Sequence, residues 1–189
     1  RMQPESGGYL EAVPLTSFVT MALCCSGRAD HPVATRGIRF LLESFRPGVM
    51  ERLGVGYERL REENPGLVYC AITGYGQDGP FSDRAGHDMN YLGLTGLLGL
   101  TGAKGGPPVQ AAGQIADIGG GAQLAAIAIL AALVKKGASG EGALLDVSMT
   151  DGALSWLAMP AASALAGDTR RRGDVDLAGR WACYMPYEA

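Results

Sequence analysis

The pattern of apolar and polar positions changes at residue 40. Before it, a weak helical pattern runs from Tyr9 to Cys25, and His31-Pro32 marks a break. After it, apolar runs alternate with punctuating turns. Phe40 to Phe45 predicts a short strand, closed by Arg46-Pro47-Gly48. Helices are expected from Val49 to about Leu53 and from Tyr57 to Glu63, the second stopped by Asn64-Pro65-Gly66. Leu67-Val68-Tyr69-Cys70-Ala71-Ile72-Thr73 has the β-branched and aromatic make-up of a strand buried on both faces. Met89 to Leu100 predicts a tightly packed helix with three glycines, and Ala103 to Val109 a loop. Ile118 to Val134 predicts an apolar helix with Lys135 and Lys136 in its last turn and Gly137 as C-cap. A turn over Ala138 to Gly142, a strand over Ala143 to Ser148 and a helix from Met149 to about Leu165 follow, and Asp168 to Asp176 reads as a linker. Strand–helix–strand alternation predicts an α/β fold, a parallel sheet with flanking helices. Ligands of such sheets sit beyond the carboxyl ends of the strands, where Arg46 and the turn at Gly74 would lie.

Composition narrows the class. A chain of 189 residues suits one domain, or one domain and the start of another. With 47% hydrophobic and 19% charged residues, wholesale disorder is excluded. The 29 glycines are dispersed without a collagen period, so they signal turns and close backbone approaches. A net charge of −3 leaves no electrostatic footprint for nucleic acid. Cys24, Cys25, Cys70 and Cys183 form no CxxC pair and no metal spacing, which points to a reduced, cytoplasmic protein without a metal site. Cys70 reads as a plain buried thiol.

Two apolar segments bear on the membrane question. Leu15 to Cys25 is too short to span a bilayer. Ile115 to Val134 approaches the roughly 20 residues required, but it contains Asp117, Gln123 and three consecutive glycines, and strands flank it. A core helix is the preferred reading, and no membrane partner is expected. Arg1 in place of an initiating Met, and the ending Tyr187-Glu188-Ala189, suggest a piece of a longer chain.

The candidate chemistry lies between Gly74 and Gly121. It comprises Gly74-Tyr75-Gly76-Gln77-Asp78-Gly79-Pro80, Gly86-His87-Asp88 and Ala116-Asp117-Ile118-Gly119-Gly120-Gly121. His87 and Asp117 lie thirty residues apart, a separation across which a strand-end loop and a helix N-terminus can converge. Taken singly, each residue has a structural reading. Asp117 at a helix start caps orphan amides, His87 is a core or loop histidine, Arg46 is a turn residue, and His31 is a solvated loop residue. Asp146 and Asp151 read as structural and capping residues. Gly74-Tyr75-Gly76 is too short to identify a phosphate site, and neither a Walker loop nor a GxGxxG is present.

Taken in order, Phe45-Arg46-Pro47-Gly48, Asn64-Pro65, Thr73 to Pro80, Gly86-His87-Asp88-Met89-Asn90-Tyr91, Ala116-Asp117 and Gly119 to Gly121 form a far more specific set. Over roughly residues 41 to 167 the chain resembles the class III CoA-transferase (CaiB/BaiF) family, and within it the α-methylacyl-CoA racemases. The resemblance implies an interlocked homodimer with the site between a large and a small domain. It also implies a coenzyme A thioester as substrate rather than a permanently bound cofactor. His87 and Asp117 match the racemase acid/base pair, and in the transferases the same aspartate takes the acyl group. Arg46 matches an arginine on the CoA phosphates, Gly74, Tyr75 and Gly76 lie along the CoA path, and Asp88 and Tyr91 are carried over with them.

Residues 1–40 do not match the family's opening, so they are expected to be a divergent N-terminal segment. Residues 41–167 then form the acyl-CoA-binding part of the large domain, and 168–189 a linker toward a missing small domain. Ala178-Gly179-Arg180-Trp181-Ala182-Cys183 replaces the family's glycine-rich segment, and a supporting glutamate of the racemases would fall beyond Ala189.

The implied chemistry is coherent. Inverting a carbon next to a thioester needs a base on one face and an acid on the other, and imidazole and carboxyl can exchange those roles when burial draws their pKa values together. Helix N-terminal amides near Asp117 are expected to serve the enolate oxygen. Acyl transfer between carboxylic acids instead needs Asp117 as nucleophile and gives His87 no obligatory part. A third alternative is an inactive truncated chain with exposed apolar surface.

Overall fold

The structure, a computed structural model, describes residues 40–187. The helix expected over Tyr9 to Cys25, the His31-Pro32 break, Cys24 and Cys25 lie outside the described residues. The chain divides into two compact units, Arg1–Ile72 with Ala125–Asp146, and Thr73–Leu124 with Val147–Ala189.

The first unit holds the sheet. Strand β1 (Phe40–Glu43) is followed by helices α1 (Val49–Arg52) and α2 (Tyr57–Glu63), then by β2 (Val68–Thr73). The order is β1-β2-β3 in one parallel three-stranded sheet, with Phe40 opposite Val68 and Glu43 opposite Ala71. A central strand has no polar edge to expose, which accounts for the unbroken apolar run of β2: Val68, Tyr69, Cys70 and Ala71 are all buried. Leu67, Tyr69 and Ala71 pack with Met50, and Phe45, Val55, Tyr57 and Leu60 close over them. Tyr57 meets Tyr69 edge-on with ring centres 5.8 Å apart, a favoured aromatic geometry. Cys70 is the plain buried thiol expected, and burial pushes it up to about 12.

Helix α5 (Leu124–Ser139) leads to β3 (Ala143–Ser148). Gly137, expected as the C-cap, lies inside α5. The cap is Gly140, whose φ of 76° suits glycine and whose amide reaches the Lys136 carbonyl at 2.8 Å. Gly142 then brings β3 against β2 so closely that a Cβ there would collide with the Leu67 backbone. Only Ala125, Ile129 and Ala132 of α5 are buried, while Ile127, Leu130 and Val134 are 64%, 64% and 77% exposed. The expected core helix is therefore buried along one face only. Together with the turn of helix before it, Ile115–Ser139 makes 25 residues long and apolar enough to cross a membrane by length and composition.

The second unit is helical: α3 (Asp88–Thr95), α4 (Leu97–Leu100), a π-helix (Ile115–Gln123), α6 (Met149–Ser155), α7 (Ala158–Leu165) and one 3₁₀ turn (Ala182–Tyr184). The single helix expected over Met89 to Leu100 is split by Gly96 at φ 86°, and the one from Met149 breaks at Trp156-Leu157. Tyr91, Leu92, Ala116 and Ala153 form the core.

The three consecutive glycines are explained by α6. A Cβ on Gly120 would lie 2.6 Å from the Met149 carbonyl and 2.7 Å from the Ala153 nitrogen, and one on Gly119 would strike the Trp156 ring. Gly152 faces Gly120 in the same way, so two helix backbones touch directly. Residues 168–189 are expected as a linker, and the early part of that segment makes contacts within this unit. Arg170 pairs with Asp168 and Asp176 at 2.9 and 3.1 Å, and the Arg172 guanidinium donates to the Gly99 and Gly106 carbonyls.

The glycine contacts make a sharp prediction. Gly120→Ala should cost about 1–3 kcal/mol in unfolding free energy by urea denaturation, because backbone cannot move aside. Gly137→Ala, where an added Cβ meets nothing within 4 Å, should stabilise by roughly 0.5–1 kcal/mol. A neutral Gly120→Ala would contradict the backbone-to-backbone crossing.

Candidate active site

The site is built on two helix N-termini. His87 sits in extended conformation (φ −129°, ψ 170°) at the N-cap of α3. Its amide donates to Asn90 Oδ1 at 2.9 Å, and its carbonyl accepts the Asn90 amide at 2.8 Å, which closes the turn. The His87 side chain is exposed. Asp88, its neighbour, is 6% exposed. Its Oδ1 accepts from the amides of Ala116 at 2.6 Å and Asp117 at 3.1 Å, which open the π-helix. Among the described residues its Oδ2 has no hydrogen-bond partner. One carboxylate thus stands at the positive ends of two helices and ties His87's helix to Asp117's.

This arrangement revises two expectations. The carboxylate on the first amides of the π-helix belongs to Asp88, twenty-nine residues before Asp117. The amides of Ala116 and Asp117 are also occupied, and that of Ile118 bonds the Gln114 carbonyl at 3.0 Å. They are therefore not open to an enolate oxygen as the sequence suggested. Asp117 itself is half-buried within the π-helix, a rare form that is frequent at functional sites.

The glycine turn is fixed from both sides. Thr73 Oγ1 accepts the Gly76 amide at 2.9 Å, and Gly76 adopts φ 91°. Thr150 donates to the Gly74 carbonyl through both its amide (3.1 Å) and its hydroxyl (2.6 Å), seating the start of α6 on the turn. Tyr91 fills the space that side chains on Gly74 and Gly86 would take: a Cβ at either would lie 2.6 Å from its ring. Tyr75 stands edge-on to Tyr91 at 5.1 Å. Burial pushes the Tyr91 phenol up to about 12, helped by the Asp117, Tyr75 and Asp88 charges. Asp117 is thereby within electrostatic reach of the Tyr91 phenol.

The structure thus gathers Gly74, Tyr75, Gly76, His87, Asp88, Tyr91 and Asp117 in the second unit, and Arg46 in the first. Arg46 is exposed beyond the carboxyl end of β1, with its carbonyl accepting the Val49 amide at 3.2 Å. Sequence reasoning passed over Thr150, whose role depends on a contact distant in the chain, and gave Thr73 no role beyond its place in the motif, although its bond to Gly76 is local. Ser148, which caps α6 by accepting the Asp151 amide at 3.1 Å, was legible as a Ser-x-x-Asp capping signature in which Asp151 alone drew notice.

With this geometry in place, the likenesses to known proteins are specific. The profile of CoA-transferase family III matches residues 40–189. The α-methylacyl-CoA racemase of Mus musculus is 46% identical over 112 residues, 59% of this chain and 29% of that protein. The succinyl-CoA:glutarate CoA-transferase of Homo sapiens is 35% identical over 152 residues, 78% of this chain and 33% of that one. A crystal structure of a CaiB/BaiF family protein from Brucella suis superposes with a TM-score of 0.68 at 35% identity, covering 71% of this chain and 35% of that one. The chain belongs to CoA-transferase family III, and it spans about a third of the length of these relatives.

Removing the shared carboxylate should be costly. Asp88→Ala leaves two buried amides unsatisfied and should lower unfolding free energy by about 2–4 kcal/mol, with Asp88→Asn recovering part through its remaining acceptor. Unchanged stability of Asp88→Ala in urea titrations would show that the bridge contributes nothing.

Proposed function

We propose that this chain carries the proton-transfer half of an acyl-CoA enzyme that epimerises the α-carbon of a 2-methylacyl thioester, with Asp117 and His87 as the acid/base pair. The observation that carries the reading is the Asp88 bridge, which ties the helix starting at His87 to the one containing Asp117. One of the pair removes the α-proton as its base, and the electron pair passes to the thioester oxygen as an enolate. The other returns a proton to the opposite face, so no net charge or atom is lost. An exposed imidazole exchanges protons with solvent between turnovers. A π-helix carrying its carboxylate in the first turn fits a group that must be held at a fixed angle. Arg46 takes the coenzyme A phosphates, as a planar donor fork suits. Gly74 and Gly76 let the backbone pass close to the ligand. The partner is a second copy of the complete protein, as in the interlocked dimers that the family resemblance implies.

One observation favours a second reading. The succinyl-CoA:glutarate CoA-transferase aligns over 78% of this chain against 59% for the racemase. In that reading the Asp117 carboxylate attacks the thioester carbonyl, the C–S bond breaks, and CoA leaves as thiolate. An aspartyl acyl anhydride remains for the acceptor acid.

The two separate cleanly. In deuterated buffer, racemase chemistry exchanges the α-proton of a 2-methylacyl-CoA, and Asp117→Asn should slow this by about 10²–10⁴-fold. Transfer chemistry instead leaves hydroxylamine-trappable acyl on Asp117 and tolerates His87→Gln. Exchange that survives Asp117→Asn would overturn the first reading.

A further inference from the structure

Outside that site, the described residues hold one buried acid that the chemistry above does not use. Glu43 closes β1, is 5% exposed, and directs its carboxyl forward along its own chain, where Oε2 accepts the Phe45 amide at 2.7 Å. That bond bends the chain out of the strand immediately before Arg46. The bend continues through the Val49 amide on the Arg46 carbonyl at 3.2 Å and through Gly48 at φ 76°. The φ of Gly48 lies in the left-handed region, so a side chain there would strain the turn. Among the described residues Glu43 takes part in no ion pair, and its like-charged neighbours are Glu51 on α1 and Asp146 on β3. Tyr69 and Cys70 of β2 lie close enough for its charge to oppose their ionisation.

A buried acid among like charges is costly as a structural device. An apolar residue would fill the same space, whereas a carboxylate gives a strong acceptor for one particular amide. We propose that Glu43 is the positioning residue of the Arg46 turn: its carboxylate clamps the Phe45 amide and so sets how the Arg46 guanidinium is presented to the phosphates of coenzyme A. The proposal rests on the assignment of Arg46 to those phosphates.

The clamp is sensitive to pH. Burial raises the Glu43 carboxyl from its ordinary 4.5 to about 7, opposed by the Phe45 bond and reinforced by Glu51 and Asp146. Above that value the carboxylate is charged and the bond is charge-assisted; below it the carboxyl is neutral and the bond weakens. Affinity for coenzyme A should therefore fall as pH drops from 8 to 6. Stability moves the opposite way. The folded value exceeds the unfolded one, so the folded chain binds more protons between them and loses stability as pH rises from about 4.5 to 7.

The experiment compares the chain as it stands with Glu43→Gln, Glu43→Asp and Arg46→Gln. The Phe45 amide should titrate in ¹⁵N NMR with a midpoint near 7, and this titration should vanish in Glu43→Gln. Coenzyme A affinity, measured by calorimetry, should fall from pH 8 to 6 by roughly three- to tenfold more in the wild type than in Glu43→Gln. The Gln variant isolates Glu43 from titration of the ligand's own phosphate. Glu43→Asp keeps the charge but shortens the reach, and should weaken binding even at pH 8. A Phe45 titration that persists in Glu43→Gln, or identical pH profiles for the two proteins, overturns the clamp. Wild-type affinity in Arg46→Gln overturns the phosphate assignment instead, while the Phe45 signal judges the clamp independently.

Discussion

A single buried carboxylate organises the second unit. Asp88 presents one oxygen to two amides at the head of the π-helix while its own backbone begins the helix that His87 caps. Helix starts carry partial positive charge and unsatisfied amides, and an acid placed between two of them answers both at once. His87 and Asp117 are the immediate chain neighbours of this junction on its two sides. The bridge fixes where the helix that follows His87 stands relative to the start of the one that contains Asp117.

The glycines serve the same end. Gly120 and Gly152 allow the π-helix and α6 to touch backbone to backbone, and Gly74 and Gly86 make room for Tyr91. Thr150 then fastens the head of α6 to the Gly74 turn through two bonds to one carbonyl. At these positions glycine marks close backbone and ring contacts, whereas others such as Gly93 and Gly137 stand in open space.

Much of this was legible because local rules governed it. The boundaries of α2 and β3, the burial of β2 and the inert Cys70 follow from periodicity, from a Pro-Gly stop and from the continuous apolar run of a central strand. Other features were decided by distant contacts. Nothing near Asp88 in sequence says that its acceptor serves Ala116 and Asp117, so the sequence presents Asp117 as a helix cap and those amides as open. The break at Gly96 is the converse case: a glycine taken as a packing residue adopts a left-handed turn that ends the helix. Gly137 after two lysines has the look of a cap, yet the helix runs on to Gly140, which takes the left-handed conformation. The apolar α5 was expected to be enclosed. Its exposed Ile127, Leu130 and Val134 reflect a property no periodicity encodes, namely which face finds a partner.

The chain belongs to CoA-transferase family III, and within it the Asp88 bridge joins the helix that His87 begins to the π-helix that contains Asp117. The most direct test of the bridge is amide hydrogen exchange at Ala116 and Asp117. The first amides of a helix normally exchange freely because they lack partners. Here both should be protected about a hundredfold or more over an unfolded chain and lose that protection in Asp88→Ala. Rapid exchange of both in the wild-type chain would mean that Asp88 does not hold the two helices together.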